Sequence, residues 1–385
     1  MKSSKKRIAV VSFFRSTNIG DLILSAALAD SFSEYEIKEI DFPTASVCRE
    51  QEVCCASVAK NDTVKPGRVF LHNLKVVYGW CRGLATGALT RRIESAFEDV
   101  DAVVLCGGNM IMDLSAAPGY TLWCYLYSFV ARKKGVPVYY FAVGVGPIKT
   151  RLQKNLAKAS LKRARYIGVR DNQSYDICNA LGIKNCCVCA DAVFARSFPY
   201  GANKSQAIGL CVGSYACVEE TMTYDEYKAF VTSVINEILL QNSDMQIVLF
   251  STEINDYAVI RDLQISCDRL RIEEIHSLDD LLDLYKNLQC VISMRMHALI
   301  IGMLSGKATF GLAWQDKVIS LYQMLGCEQN CLNVYDKHTK GSISARMNNF
   351  FGNMQDAVSK QEDFVVRQRM AYTEKLQELK QKMEE

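Results

Sequence analysis

An arginine and a histidine, Arg295 and His297, stand two residues apart between a short apolar run, Val291-Ile292-Ser293, and a longer one closed by Gly306. The pattern predicts a buried strand, a turn and the N-terminus of a buried helix. A helix N-terminus presents unpaired N–H groups and the positive end of the macrodipole, so it draws anions. A guanidinium and an imidazole placed there suit a phosphate or carboxylate, and the imidazole also suits proton transfer near neutrality. The plain alternative is that Arg295 pairs with a core carboxylate and His297 is a satisfied core histidine. Side chains two apart on an ideal helix point in different directions. Both can face one ligand only if Arg295 lies in the turn before the helix.

The elements that must position this pair repeat one theme. Residues 8–14 form a continuous apolar run, as in a strand buried on both faces of a parallel sheet. It leads through Asn18-Ile19-Gly20-Asp21 into an apolar helix over 22–32. Strand, glycine-containing loop and helix open a doubly wound fold, whose ligands bind at the carboxyl ends of the strands. Asp21 suits a helix cap as well as a chemical role. Further strands are expected at 35–40, 102–106, 138–143, 166–169 and 188–194. Gly107-Gly108-Asn109 follows the strand at 102–106, and paired glycines let a ligand approach the backbone closely. The dinucleotide fingerprint G-x-G-x-x-G is absent, so no nicotinamide or flavin cofactor is expected. Arg170-Asp171 ends the strand at 166–169.

After a linker at 197–206 the pattern restarts, with strands at 207–212, 246–250 and 309–312. Helices are expected at 224–240, 256–267 and 281–286, the last behind a capping box at Ser277 to Asp280. Lys317 opens another helix. The chain thus divides into a first domain over 1–200, a second over 205–345 and a C-terminal helix over 350–385, which either lies on the surface or returns over the first domain. The fold class expected is α/β, with two Rossmann-like doubly wound domains facing a cleft, the usual place for a ligand.

Composition sets limits. At 385 residues with 49% hydrophobic content, the chain is long enough for two substantial cores. A net charge of +3, with no basic tract beyond residues 2–7, argues against nucleic acid. The basic start superficially resembles a signal peptide, but no small-residue cleavage site follows. The longest apolar stretches, near 122–131 and 297–304, are too short to span a bilayer, so a soluble, cytoplasmic protein is expected. The 16 cysteines fall mostly in strand-like runs and read as reduced core residues. Cys186-Cys187-Val188-Cys189 has no second pair at zinc-like distance, so no metal is expected. Residues 43–70 are irregular, and 72–97 reads as solvated helix carrying Trp80.

Taken together, several motifs resemble those of the polysaccharide pyruvyl transferase family: Asn18-Ile19-Gly20-Asp21, Gly107-Gly108, Gly144-Val145-Gly146-Pro147, Val169-Arg170-Asp171 with Ser174, Asp191, Ser293 to Ile300, and Trp314 to Lys317. Order and rough spacing agree over about residues 8–330, and Arg-x-His is the most diagnostic piece. The resemblance implies a fold like the GT-B glycosyltransferases. It also implies transfer of pyruvate from phosphoenolpyruvate to a sugar hydroxyl pair, as a cyclic ketal on a cell-surface polysaccharide or its precursor. Arg295 and His297 would serve the donor, and Arg170 stands where a donor-facing cation would lie. Asn18, Gly20, Asp21, Gly108, Asn109 and Lys317 complete the expected substrate-binding set. No cofactor is implied. The acceptor would be a sugar or lipid-linked oligosaccharide, which would bring the protein to the inner face of the membrane. Ketal formation begins with protonation of the enol carbon. A sugar hydroxyl attacks the resulting oxocarbenium-like centre, and a second hydroxyl displaces phosphate. His297 suits either proton transfer, to the enol carbon or to the phosphate. The rival reading is a GT-B glycosyltransferase with a nucleotide-sugar donor, since the same helix N-terminus would serve a diphosphate.

Overall fold

The computed structural model describes residues 5–43, 82–83, 85–113, 119–199, 206–219, 221–263, 265, 267–335 and 339–385. The irregular stretch 44–70, Trp80 with the start of its helical region, and linker residues 200–205 lie outside the described residues. Two compact units emerge. The first comprises Met1–Ser16, Leu28–Cys189 and Lys375–Glu385, and the second Thr17–Ala27 and Ala190–Glu374.

The first unit holds strands β1 (Arg7–Ser12), β2 (Glu36–Asp41), β3 (Ala102–Cys106), β4 (Ile111–Asp113), β5 (Val138–Val143), β6 (Val145–Ile148), β7 (Ala164–Val169) and β8 (Cys186–Val188). Six of them form one parallel sheet in the order β2-β1-β3-β5-β7-β8, and β4 pairs separately with β6. β3 and β5 are buried along their whole length, which explains their unbroken apolar sequences. β2, at the sheet's edge, is polar and half exposed, as suits an edge strand. Chain order reverses between β1 and β3, so the loops leaving their carboxyl ends flank a topological switch point. One expected strand is corrected. Residues 188–194 are not extended, because β8 ends at Val188 and a 3-10 helix spans Ala192–Ala195. The Asp191 carboxylate accepts from Val193 N at 3.0 Å and turns the chain there.

The second unit holds β9 (Ala207–Cys211), β10 (Gln246–Phe250), β11 (Leu270–Ile272), β12 (Cys290–Ser293), β13 (Ala308–Ala313) and β14 (Cys331–Asn333). They form one parallel sheet in the order β11-β10-β9-β12-β13-β14. Numbered within the unit, this is the dinucleotide-fold order, with its reversal between β9 and β12. Ser293, the last residue of β12, sits opposite Cys211 of β9 and Gly311 of β13. Helices Tyr224–Gln241 and Leu278–Lys286 both begin in capping boxes, the latter with Ser277 accepting from Asp280 N at 3.1 Å. The helical stretch expected at 256–267 is shorter, Tyr257–Asp262 behind a 3-10 turn at Ile254–Asp256.

The last helix, Met354–Glu384, contributes to both units. In the second unit Gln361 is buried, and its side-chain amide oxygen accepts from Thr309 Oγ1 at 2.9 Å while its NH2 donates to Lys307 O at 2.8 Å. In the first, Tyr139 OH donates to Lys382 O at 3.1 Å.

Candidate functional site

The second unit's switch point is where Arg295 and His297 lie. β12 delivers Ser293, whose hydroxyl accepts from Arg295 N at 2.9 Å and donates to Arg295 O at 3.0 Å. This clasp ends the strand and starts the helix Met296–Leu304, with Arg295 as N-cap in extended conformation. Arg295 therefore occupies the turn and His297 the first helical turn. The helix is apolar all round and almost wholly buried, so its N-terminus is held rigidly. No side chain caps it.

Arg295 has a carboxylate partner. Its Nε and Nη2 donate to Asp256 Oδ2 and Oδ1 at 2.9 and 2.5 Å, a bidentate fork. Asp256 is fully buried and also accepts from Ser251 Oγ at 2.5 Å. Burial alone would lower the Arg295 pKa, but the Asp256 charge reverses that and raises it. The core-pair reading of Arg295 thus holds for one edge of its guanidinium. The side chain keeps 18% exposure, and Nη1 makes no hydrogen bond to the described residues.

His297 is not satisfied. Its side chain is 12% exposed, and Nε2 is buried without a hydrogen-bond partner. The nearest carboxylate oxygen, Asp191 Oδ2, is 3.7 Å away. Asp191 follows Ala190, whose φ of 105° is strained for a residue with a Cβ. Such a conformation costs on the order of 1–3 kcal/mol and tends to persist where geometry has a use.

Residues 17–20 close the other side of the ring. Ile19 N donates to Thr252 O at 2.9 Å, and Asn18 bridges Glu253. Asn18 Oδ1 accepts from Gly20 N at 2.8 Å, folding the loop. Gly20 thereby packs against the imidazole, and a Cβ there would lie 2.6 Å from His297 Cβ. Thr17 donates to Glu253 at 2.7 Å. Burial raises the Glu253 pKa above the usual carboxylate range, against the lowering pull of the Thr17 hydrogen bond and the Arg295 charge. The Thr252 hydroxyl beside it is buried without a partner. Asp21 sits in the first turn of the helix Ile19–Ser31. Lys317, in the first turn of Asp316–Leu325, lies over the Trp314 ring at 5.6 Å, and Trp314 Nε1 donates to Met294 O at 3.0 Å.

Gly108, Asn109 and Arg170 meet in the first unit, at its own switch point. Gly108 has φ 54° and packs on Phe13, and Gly144 N donates to Gly108 O at 2.7 Å. Arg170 is buried, hydrogen-bonded to the Asn109 side chain, with its Nε donating to Asp171 at 3.2 Å. Its guanidinium ties the loop after β3 to the end of β7.

A family model described as polysaccharide pyruvyl transferase matches residues 18–316, most of the chain. The chain belongs to the polysaccharide pyruvyl transferase family. Membership makes it a transferase, an enzyme. None of the curated proteins matches it in sequence. Among solved structures it resembles S. aureus MnaA, solved with UDP, at TM-score 0.58 and 11% identity over 92% of this chain and 91% of that one. It also resembles Neisseria meningitidis UDP-GlcNAc 2-epimerase, bound to UDP-GlcNAc, at TM-score 0.53 and 12% identity over 92% and 94%. Phytolacca americana UGT2 gives TM-score 0.53 and 12% identity over 98% and 100%. At such identities the likeness shows the fold, which is GT-B. No described helix is long and apolar enough to cross a membrane, and no group of three or more potential metal ligands occurs among the described residues.

Sequence patterning missed three neighbours of the pyruvyl transferase Arg-x-His motif. Asp256 read as the start of a longer helix, and Glu253 as loop. Asp191 stood among the motif residues with no role. The available signal was position, because Ser251 to Asp256 leaves the carboxyl end of β10, next to β9 at the switch point.

Proposed function

We propose that the protein transfers the pyruvyl group of phosphoenolpyruvate to two hydroxyls of a sugar, releasing phosphate and leaving a cyclic ketal. The observation that carries this reading is the unsatisfied His297 at an uncapped helix N-terminus, in a chain of the pyruvyl transferase family. His297 donates a proton to C3 of the enol. The C2 centre then takes the first sugar oxygen, the C2–O bond to phosphate breaks, and the second sugar oxygen closes the ring. The helix N-terminus and Arg295 Nη1 receive the phosphate, with Lys317 as a further cation. Because Asp256 already holds the fork of Arg295, that contact is through one N–H edge only. Asn18, Gly20 and Asp21 shape the donor's surroundings. Gly108, Asn109 and Arg170, in the first unit, are the remaining substrate-binding residues of this reading. The cations in this set answer the donor's negative charge, so the reaction needs no cofactor.

The test is phosphate release from phosphoenolpyruvate across a panel of methyl pyranosides, with His297→Ala and Arg295→Ala alongside. Both variants should lose turnover while keeping native circular dichroism, and near-normal turnover in either would sink its assignment. Thermal protection by nucleotide sugars and none by phosphoenolpyruvate would replace this reading with glycosyl transfer.

A further inference from the structure

We infer that Asp191 holds the proton of the neutral His297 ring on Nε2, so that Nδ1 is the nitrogen that exchanges a proton with the donor. This rests on the reading of His297 as the acid, and goes beyond it by naming the nitrogen and the group that selects it. Of the two ring nitrogens, Nε2 is the one sealed from solvent without a hydrogen bond. The Asp191 carboxylate lies 3.7 Å from it, within ion-pair range. A lone pair on Nε2 would face that negative charge in a dry setting, whereas an N–H is attracted to it. Neutral imidazole carries one proton, so placing it on Nε2 leaves the lone pair on Nδ1. Asp191 is itself anchored, since its other oxygen accepts from Val193 N at 3.0 Å. It is buried at 4% exposure, and the left-handed Ala190 aims the chain into this position.

Nδ1 lies on the Gly20 side of the ring. A methyl at Gly20 would collide with it, so glycine lets the ring seat against the backbone. Nδ1 is not among the sealed, unpartnered atoms, and the side chain keeps 12% exposure. Protonated on both nitrogens, His297 gives the Nδ1 proton to C3 of the donor. The Nδ1–H bond breaks, a C–H bond forms, and the ring is left as the Nε2–H tautomer. An acceptor hydroxyl then returns a proton to Nδ1. Asp191 keeps its charge throughout and acts as a positioning residue that stabilises the imidazolium, as the carboxylate of a hydrolase triad does.

The test is nuclear magnetic resonance of ¹⁵N-histidine-labelled protein. The chain has 4 histidines, and the His297 signals are assigned by their loss in His297→Gln. The neutral ring should show a protonated Nε2 and an unprotonated Nδ1. Asp191→Asn, whose amide oxygen can still accept from Val193, should shift His297 toward a mixture of tautomers. In the phosphoenolpyruvate assay it should lower kcat about tenfold or more with KM changed less than about twofold, and Asp191→Glu should recover part of the rate. A wild-type ring protonated on Nδ1, or a His297 spectrum unchanged by Asp191→Asn, would overturn the inference. The wild-type spectrum decides this even if a variant fails to fold. It also does so if phosphoenolpyruvate proves not to be the donor, so the two readings fail separately.

Discussion

Gly20 and His297 are in such close contact that no other residue fits at position 20. A Cβ would stand 2.6 Å from both Cβ and Cγ of the histidine. The imidazole is wedged between this backbone and the Asp191 carboxylate, so its orientation depends on two residues more than 100 positions away, both of which precede the linker.

Gly20→Ala should therefore push the ring aside without unfolding the protein. A displacement of about 1 Å in a reacting group costs about 10²-fold in rate. The expected outcome is a kcat lowered by about that factor in the phosphate-release assay, with the melting temperature within a few degrees of wild type. Full activity in Gly20→Ala would show that the ring position does not matter.

Asp256→Ala should be among the most damaging changes to stability around the site, alongside Arg295→Ala, which strands the fully buried Asp256. Asp256→Ala leaves Arg295 without its partner, and removing one member of a buried pair costs about 3–5 kcal/mol. Urea unfolding would measure this. His297→Ala, which breaks no hydrogen bond, should cost far less by the same measurement.

Glu253 gives stability a pH dependence of definite sign. Its folded pKa is raised from 4.5, chiefly by burial, so the native state binds more protons than the unfolded chain above that value. Its contribution should make stability fall as pH rises from about 4.5 through the raised value. Glu253→Gln should remove that part of the slope, as read by urea midpoints at a series of pH values. An unchanged slope would mean the carboxyl ionises as freely folded as unfolded.

Lys307 offers the mirror case away from the site. It is fully buried, its ammonium has no hydrogen-bond partner, and burial lowers its pKa from 10.5. The unfolded chain then binds more protons, so stability should rise with pH up to about 10.5 from the lowered folded value. An unsatisfied buried polar group costs about 1–3 kcal/mol, so Lys307→Met should be more stable than wild type at neutral pH by an amount of that order. A less stable Lys307→Met would show that the amine has a partner in solution.

Much of the fold is legible because parallel strands buried on both faces leave unbroken apolar runs. The strands at 102–106, 138–143 and 246–250 coincide with the observed β3, β5 and β10. The three-residue strands β4, β8, β11 and β14 are too short to carry a period, and Asp191 turns a run that otherwise reads as extended. The Arg-x-His turn was readable because strand, serine clasp and apolar helix are adjacent in the chain. Its partners were not, since Asp256 lies 39 residues before Arg295, and the spacing of a contact made through the sheet has no local signature.

Residues 17–27, which leave β1 of the first unit, belong by their contacts to the second. The second unit is therefore not a continuous stretch of gene. A fragment beginning at Ala190 would retain Asp191, Asp256, Arg295 and His297 but lack Thr17, Asn18 and Gly20, leaving Glu253 without its hydroxyl donor and one face of the imidazole bare. Any attempt to dissect this protein into halves, or to graft its second half onto another first half, must carry eleven residues across the cut, Thr17 to Ala27.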